Sequence, residues 1–164
     1  MKATTLFDSQ HSTDPSDWSV IEDEVMGGCS QGKIEFTKEG FVKFSGTISL
    51  ENNGGFSSIR YKIPKTKVHP ENTVRFHLKG DGNIYQFRVK HSLSDYYSYT
   101  TPLKTNGEWQ TLAVNLSEMY PQFRGKRLEV PNFNGTSIVE IGFLIGNKRE
   151  QKFCLVLDRI EYVR

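Results

Sequence analysis

Period-two alternation runs through almost the whole of this 164-residue chain and decides what it can fold into. In residues 41–50, FVKFSGTISL, the positions Val42, Phe44, Ile48 and Leu50 are apolar while Lys43, Ser45, Thr47 and Ser49 are polar. Successive side chains of a strand point to opposite faces, so this is a strand buried on one side. FSSIRYKI, at 56–63, puts Ile59, Tyr61 and Ile63 on one face and Ser58, Arg60 and Lys62 on the other. The signature recurs in TVRFHLKG (Val74, Phe76, Leu78), YQFRVKH (Tyr85, Phe87, Val89), YYSYTT, WQTLAVNL (Leu112, Val114, Leu116) and KFCLVLDRIEYV. IVEIGFLIG, at 138–146, is apolar on both faces, which suits a central strand covered by a second sheet or a loop.

No segment sustains helical periodicity beyond about a turn; a short helix is expected around Ser117 to Tyr120 or before the first strand. Many short strands punctuated by turn residues predict an all-β, two-sheet antiparallel sandwich of jelly-roll type. Gly80-Asp81-Gly82-Asn83 and Asn106-Gly107 read as type I′ hairpins. Asn52-Asn53-Gly54-Gly55 reads as a further hairpin, pairing the strand at 41–50 with the one that Phe56 restarts. No linker interrupts residues 1–164, and a chain of this length at 36% hydrophobic content supports one core, hence one domain.

A net charge of +2 supplies no general field for nucleic acid or an anionic membrane, and nucleic-acid binding is not expected. The basic clusters Arg124, Lys126, Arg127 and Lys148, Arg149, Lys152 read as solvated strand ends. The N-terminal residues lack the apolar core of a secretory signal and carry aspartates unsuited to a mitochondrial transit peptide, so a cytoplasmic location is expected. No run reaches the length of a transmembrane helix. Cys29 and Cys154 match no paired-cysteine motif and read as free thiols.

Catalytic constellations are sparse. Gly27-Gly28-Cys29-Ser30-Gln31-Gly32-Lys33 fits G-x-x-x-x-G-K, but Ile34 stands where a magnesium-holding hydroxyl belongs, and a strand pattern follows where the mechanism needs a helix. His11, His69, His77 and His91 are scattered, and no serine sits in a nucleophile elbow. Glu22, Asp23 and Glu24 read as solvated acids. Asp158 sits within the apolar CLVLDRI and needs a partner, most simply a structural salt bridge or a backbone hydrogen bond. Tyr96, Tyr97, Tyr99 and Trp109 are candidates for a sugar-stacking or partner-binding platform, although alternation separates Tyr96 from the other two tyrosines.

Several segments coincide in order with one family pattern: DWSVIEDEVMGGCSQGKI (17–34), FSGTISLENNGGFSSIRY (44–61), KGDGNIYQFRV (79–89), GEWQTLAVNL (107–116), FRGKRL (123–128), IGFLIG (141–146) and FCLVLDRIEYV (153–163). The chain resembles the complex I intermediate-associated protein 30 family. Glu24 departs from it, standing where the family usually has glycine. The resemblance implies a galactose-binding-like β-sandwich, similar in architecture to family 11 carbohydrate-binding modules. It also implies a non-catalytic, chaperone-like assembly factor for NADH:ubiquinone oxidoreductase, with respiratory-complex subunits or assembly intermediates as partners and no enzymatic activity.

Among positions matching the family's signature, those expected to meet a partner or ligand are Asn52, Arg60, Asp81, Tyr85, Arg88, Trp109 and Arg124. No catalytic residue, metal site or cofactor is expected. The alternative is a carbohydrate-binding module of the family 11 type. Convergence of Arg60, Arg88 and Arg124 on an open pocket with aromatic walls would favour ligand binding; burial of these arginines in mutual salt bridges would favour a protein-interaction role.

Overall fold

The computed structural model describes residues 3–11, 17–22, 30–51 and 55–164. Asn52, the first part of the Gly-Gly-Cys segment, the acids Asp23 and Glu24, and Cys29 lie outside these residues. The strands are β1 (Ala3–Asp8), β2 (Trp18–Glu22), β3 (Gln31–Phe36), β4 (Val42–Ile48), β5 (Ser57–Lys67), β6 (Thr73–Lys79), β7 (Ile84–Lys90), β8 (Ser98–Lys104), β9 (Trp109–Asn115), β10 (Tyr120–Phe123), β11 (Lys126–Arg127), β12 (Ser137–Ile145) and β13 (Gln151–Val163). A 3-10 turn, Leu116–Glu118, follows β9, where the sequence suggests a short helix.

The strands form two antiparallel sheets, a β-sandwich of the expected class. The smaller, six-stranded sheet runs β3-β4-β13-β6-β9, with β1 following β4 along the same edge of β13. The larger, seven-stranded sheet runs β11-β10-β8-β7-β12-β5-β2. Alternation supplies the core between them. Val42 and Phe44, Val74, Phe76 and Leu78, and Leu155 and Leu157 from one sheet meet Ile59, Tyr85, Phe87, Ile141, Phe143 and Ile145 from the other, all essentially inaccessible to water. Rings interlock edge to face, Phe76 on Phe87 with centroids 4.6 Å apart and Phe7 on Trp18 at 5.2 Å.

Connectivity differs from the sequence expectation at three turns. β4 pairs with β3 and β13, whereas β5 pairs with β12 and β2, so the chain around residues 50–56 passes from one sheet to the other and closes no hairpin. The Gly80–Asn83 and Asn106–Gly107 turns are likewise corners, since β6 and β9 belong to the smaller sheet and β7 and β8 to the larger. Asp-Gly and Asn-Gly chemistry marks a tight reversal but does not say whether the returning strand pairs or crosses the sandwich. The two corners pack on each other: Thr105 donates its backbone N–H to Asn83 O and receives Gly82 N–H on its hydroxyl. A side chain at Gly80 would collide with Thr105.

The type I′ geometry appears elsewhere. Phe123 and Lys126 are register partners across a two-residue loop, Arg124-Gly125, with φ of 50° and 79°. β12 is central, between β7 and β5, as its apolar run suggests. Its outer face is not covered by a second sheet, however; that face carries Glu140, Gly142, Leu144 and Gly146 and forms the floor of an open pocket. Gly142 is required there, because a Cβ would come within 2.5 Å of Ile59 O on β5. Among the described residues no helix is long and apolar enough to cross a membrane.

Candidate functional site

Strand register builds the site on the outer face of the larger sheet. One cross-strand row reads Ser19, Arg60, Gly142, Arg88, Thr100, Tyr120. The row on one side carries Lys62, Glu140 and Lys90, and the row on the other Ile21, Ser58, Leu144, Gln86 and Pro102. Alternation that sends Ile59, Phe87 and Phe143 into the core therefore sends Arg60, Arg88 and their neighbours outward. Together with Phe56, Tyr96, Gln122, Phe123, Arg124 and Lys148 they line an open groove of about 830 Å³. At its floor lies a small recess of about 10 Å³ bounded by Ser58, Arg60, Arg88, Ser98, Glu140 and Gly142.

The floor is cationic. Arg60 Nε lies 3.7 Å from Glu140 Oε1, a long ion pair, and the Glu140 carboxyl is largely buried. Arg88 makes no ion pair that close among the described residues: its Nε is sealed from solvent and has no hydrogen-bond partner among them. Burial, and next the charge of Arg60, pull the Arg88 guanidinium down to about 10. Lys90 is pulled down by the same two causes in the same order, and its Nζ donates to Asp95 O at 2.9 Å. Arg124 and Lys148 bring further positive charge to the lining.

The remaining sequence-predicted residues lie elsewhere. Asp81 and Tyr85 tie the β6–β7 corner to β13. The Tyr85 hydroxyl donates to Asp81 Oδ1 at 3.0 Å, and the Cys154 N–H donates to Asp81 Oδ2 at 2.7 Å. Asp81 also accepts from the backbone N–H and side-chain amide of Asn83. Burial and the Asp81 charge push the Tyr85 phenol far above the usual tyrosine range. Trp109 sits on the smaller sheet, stacked on His77 with centroids 4.9 Å apart and tilted against Phe41. The structure thus brings together Arg60, Arg88 and Arg124, and separates Asp81, Tyr85 and Trp109 from them. The tyrosines also divide: Tyr96 stands exposed in the groove lining against Phe123, whereas Tyr97 and Tyr99 pack inward toward Phe133.

Sequence reasoning missed Glu140, Lys90, Gln86, Gln122 and Lys148. Lys90 and Gln86 share the parity of Arg88 and could have been found by extending its face along the strand. Lys148 reads as a solvated strand end, and the apolar character of its run hides Glu140. Asp158 finds side-chain partners: it lies at a bulge in the β13–β6 ladder, 2.7 Å from His77 Nδ1, and accepts the Ser9 hydroxyl at 3.1 Å. Cys154 is a free thiol.

Solved structures with a similar fold include carbohydrate-binding modules. The family 11 module from Clostridium thermocellum in complex with a β-1,3-1,4-mixed-linked tetrasaccharide superposes with a TM-score of 0.67 at 19% identity, covering 97% of this chain and 94% of that one. The family 11 module of a cellulosomal cellulase from the same organism gives 0.68 at 19% identity, covering 99% and 94%. A mutant of a family 29 module gives 0.57 at 11% identity, covering 98% and 91%. At these identities the likeness concerns the fold, a carbohydrate-module-like jelly roll. No curated protein matches the chain in sequence. The profile described as complex I intermediate-associated protein 30 matches residues 6–157. That span contains the central strand β12 of the larger sheet, the first part of β13 and the whole groove floor, and the chain belongs to the complex I intermediate-associated protein 30 family.

Proposed function

We propose that the chain is a non-catalytic binding protein that holds a polypeptide partner in the groove of the larger sheet during assembly of NADH:ubiquinone oxidoreductase or another membrane complex. The observation that carries this function is the match of the complex I intermediate-associated protein 30 profile over residues 6–157. Convergence of Arg60, Arg88 and Arg124 on one open groove, not in mutual salt bridges, marks the groove as the contact surface; by the criterion set out above it counts toward ligand binding, the second reading below. The groove lining mixes guanidinium, ammonium and amide donors with the apolar side chains Ile21, Leu50, Phe56 and Leu144. Such a mixture suits side chains of alternating character along an extended chain. The family description supports the respiratory-complex context. Affinity capture with the tagged protein, quantified against a charge-reversed Arg60→Glu variant, is expected to enrich respiratory-complex subunits only with the native groove. Recovery of none, together with normal complex assembly in a deletion strain, would overturn this function.

Carbohydrate binding is the second reading, supported by the exposed Tyr96 ring beside Phe123 in the groove lining and by the family 11 neighbour determined with a tetrasaccharide. Titration with that mixed-linked tetrasaccharide separates the two. Saturable binding that a Tyr96→Ala change abolishes favours sugar; no heat or chemical-shift change removes it.

A further inference from the structure

We propose that the floor between Arg60 and Arg88 is a carboxylate-binding site for an acidic side chain of an extended partner polypeptide, an assignment that rests on the partner-binding function above. Arg60 and Arg88 are both register neighbours of Gly142, one on each side. Glycine leaves the space between them empty of side chain, and adjacent strands lie ~4.8 Å apart, so both guanidinium groups can reach one object lodged over Gly142. The recess beneath, of about 10 Å³, is the size of roughly one oxygen atom or water.

The charges at the floor do not balance. Glu140 is the single carboxylate among the described lining residues, and it faces Arg60, Arg88 and Lys90. It engages Arg60 only at 3.7 Å. Arg88 keeps a solvent-sealed Nε without an acceptor, and a buried donor left unmade is unfavourable. An incoming carboxylate supplies the missing charge to the guanidinium edge that faces the groove, and a turn of the Arg88 side chain brings its Nε to the same acceptor; guanidinium groups bind carboxylates in paired, planar contacts. Lys148 and Arg124 extend the positive field around it.

The aliphatic part of the lining favours a peptide over an acidic sugar. Phe56, Tyr96 and Phe123 offer ring faces to either, but Ile21, Leu50 and Leu144 offer no flat face for a pyranose ring and can seat aliphatic side chains beside an acidic one. The groove spans the strands from Ile21 on β2 to Gln122 on β10 in the order β2-β5-β12-β7-β8-β10. At about 4.8 Å per step this is ~24 Å, the length of roughly seven extended residues, so that a hexapeptide covers most of it.

The test uses a fluorescent hexapeptide of two leucines, two serines and two central glutamates, its glutamine counterpart, and trigalacturonic acid. Fluorescence anisotropy reads affinity, and the Arg88 Nε–Hε resonance reads the site. The glutamate peptide is expected to bind at least about tenfold more tightly than the glutamine peptide, to weaken with salt and to shift the Arg88 resonance. Arg88→Met and Arg60→Met should each abolish the preference while keeping the native circular dichroism, and Glu140→Gln should enhance it. Equal binding of both peptides, no binding of either, an unmoved Arg88 resonance, or a preference for trigalacturonic acid would overturn the site. Respiratory-subunit capture that persists undiminished with Arg88→Met would remove the carboxylate site and leave the partner-binding function standing.

Discussion

Arg60 and Arg88 occupy the same cross-strand row of the larger sheet, separated only by Gly142. Two strand spacings put their backbones about 10 Å apart, a distance their long side chains close. Burial first, and then the repulsion between like charges held this near, make the Arg88 guanidinium give up its proton more readily, at about 10. The groove is thus poised for an anion before any ligand arrives, and stability and binding pull in opposite directions at its centre.

Arg88→Met is expected to leave the fold intact and to raise its stability by about 1 kcal/mol, because replacing a largely buried cation that Arg60 repels and whose Nε has no acceptor by an apolar chain of similar length removes a desolvation cost larger than the attraction of Glu140. Urea denaturation at neutral pH measures it. A loss of more than about 2 kcal/mol would mean that Arg88 holds a stabilising partner in the folded chain.

Glu140→Gln should do the reverse. It removes the carboxylate that Arg60 approaches at 3.7 Å and leaves Arg60, Arg88 and Lys90 facing one another. A destabilisation of about 2 kcal/mol follows, smaller at high salt where repulsion is screened. An unchanged denaturation midpoint at both low and high salt would show that the carboxylate does not offset these cations.

Much of this was legible in the chain and some was not. Parity alone sends Arg60 and Arg88 outward, since Ile59 and Phe87 beside them must go in. The parity break in β13 is also written in the sequence: Phe153, Leu155 and Leu157 are buried, then Ile160 and Tyr162, and Asp158 sits at the slip. Pairing was not legible. Nothing local distinguishes the Asp81-Gly82 corner, which crosses the sandwich, from the Arg124-Gly125 turn, which closes a hairpin. That choice depends on which sheet each strand joins, and so on contacts remote in sequence. Alignment of Arg60 with Arg88 over Gly142, and the placement of Glu140 in the row beside them, depend on the same long-range register.

The Arg124-Gly125 turn permits a separation of fold from binding. Arg124 holds a left-handed backbone at φ 50°, which a side chain other than asparagine, aspartate or glycine adopts at some cost. Arg124→Asn gives the preferred Asn-Gly pair and should stabilise the chain by about 0.5–1 kcal/mol while removing one positive charge from the groove lining. Thermal unfolding and affinity for the acidic hexapeptide, measured on the same sample, should therefore move in opposite directions. Lower stability would contradict the turn assignment, and unchanged affinity would exclude Arg124 from the binding field.

Tyr85 predicts a pH dependence of known sign. Its hydroxyl is buried, donates to Asp81 Oδ1 and accepts the Cys154 N–H, and it stays protonated in the folded chain far above the ordinary phenol range. In the unfolded chain it ionises near pH ~10. Below that value both states carry the proton and the group's stabilisation is fully present; above it the unfolded chain releases the proton first and stability falls as pH rises. The loss from this group approaches about 1.4 kcal/mol per pH unit. Tyr85→Phe removes the hydroxyl's hydrogen bonds, costing about 1–2 kcal/mol at pH ~7, and removes its share of the alkaline decline. Urea midpoints taken from neutral to strongly alkaline pH should start lower for the variant and converge on the native protein as pH rises. Parallel curves would show that the Tyr85 phenol ionises as freely in the folded chain as in the unfolded one.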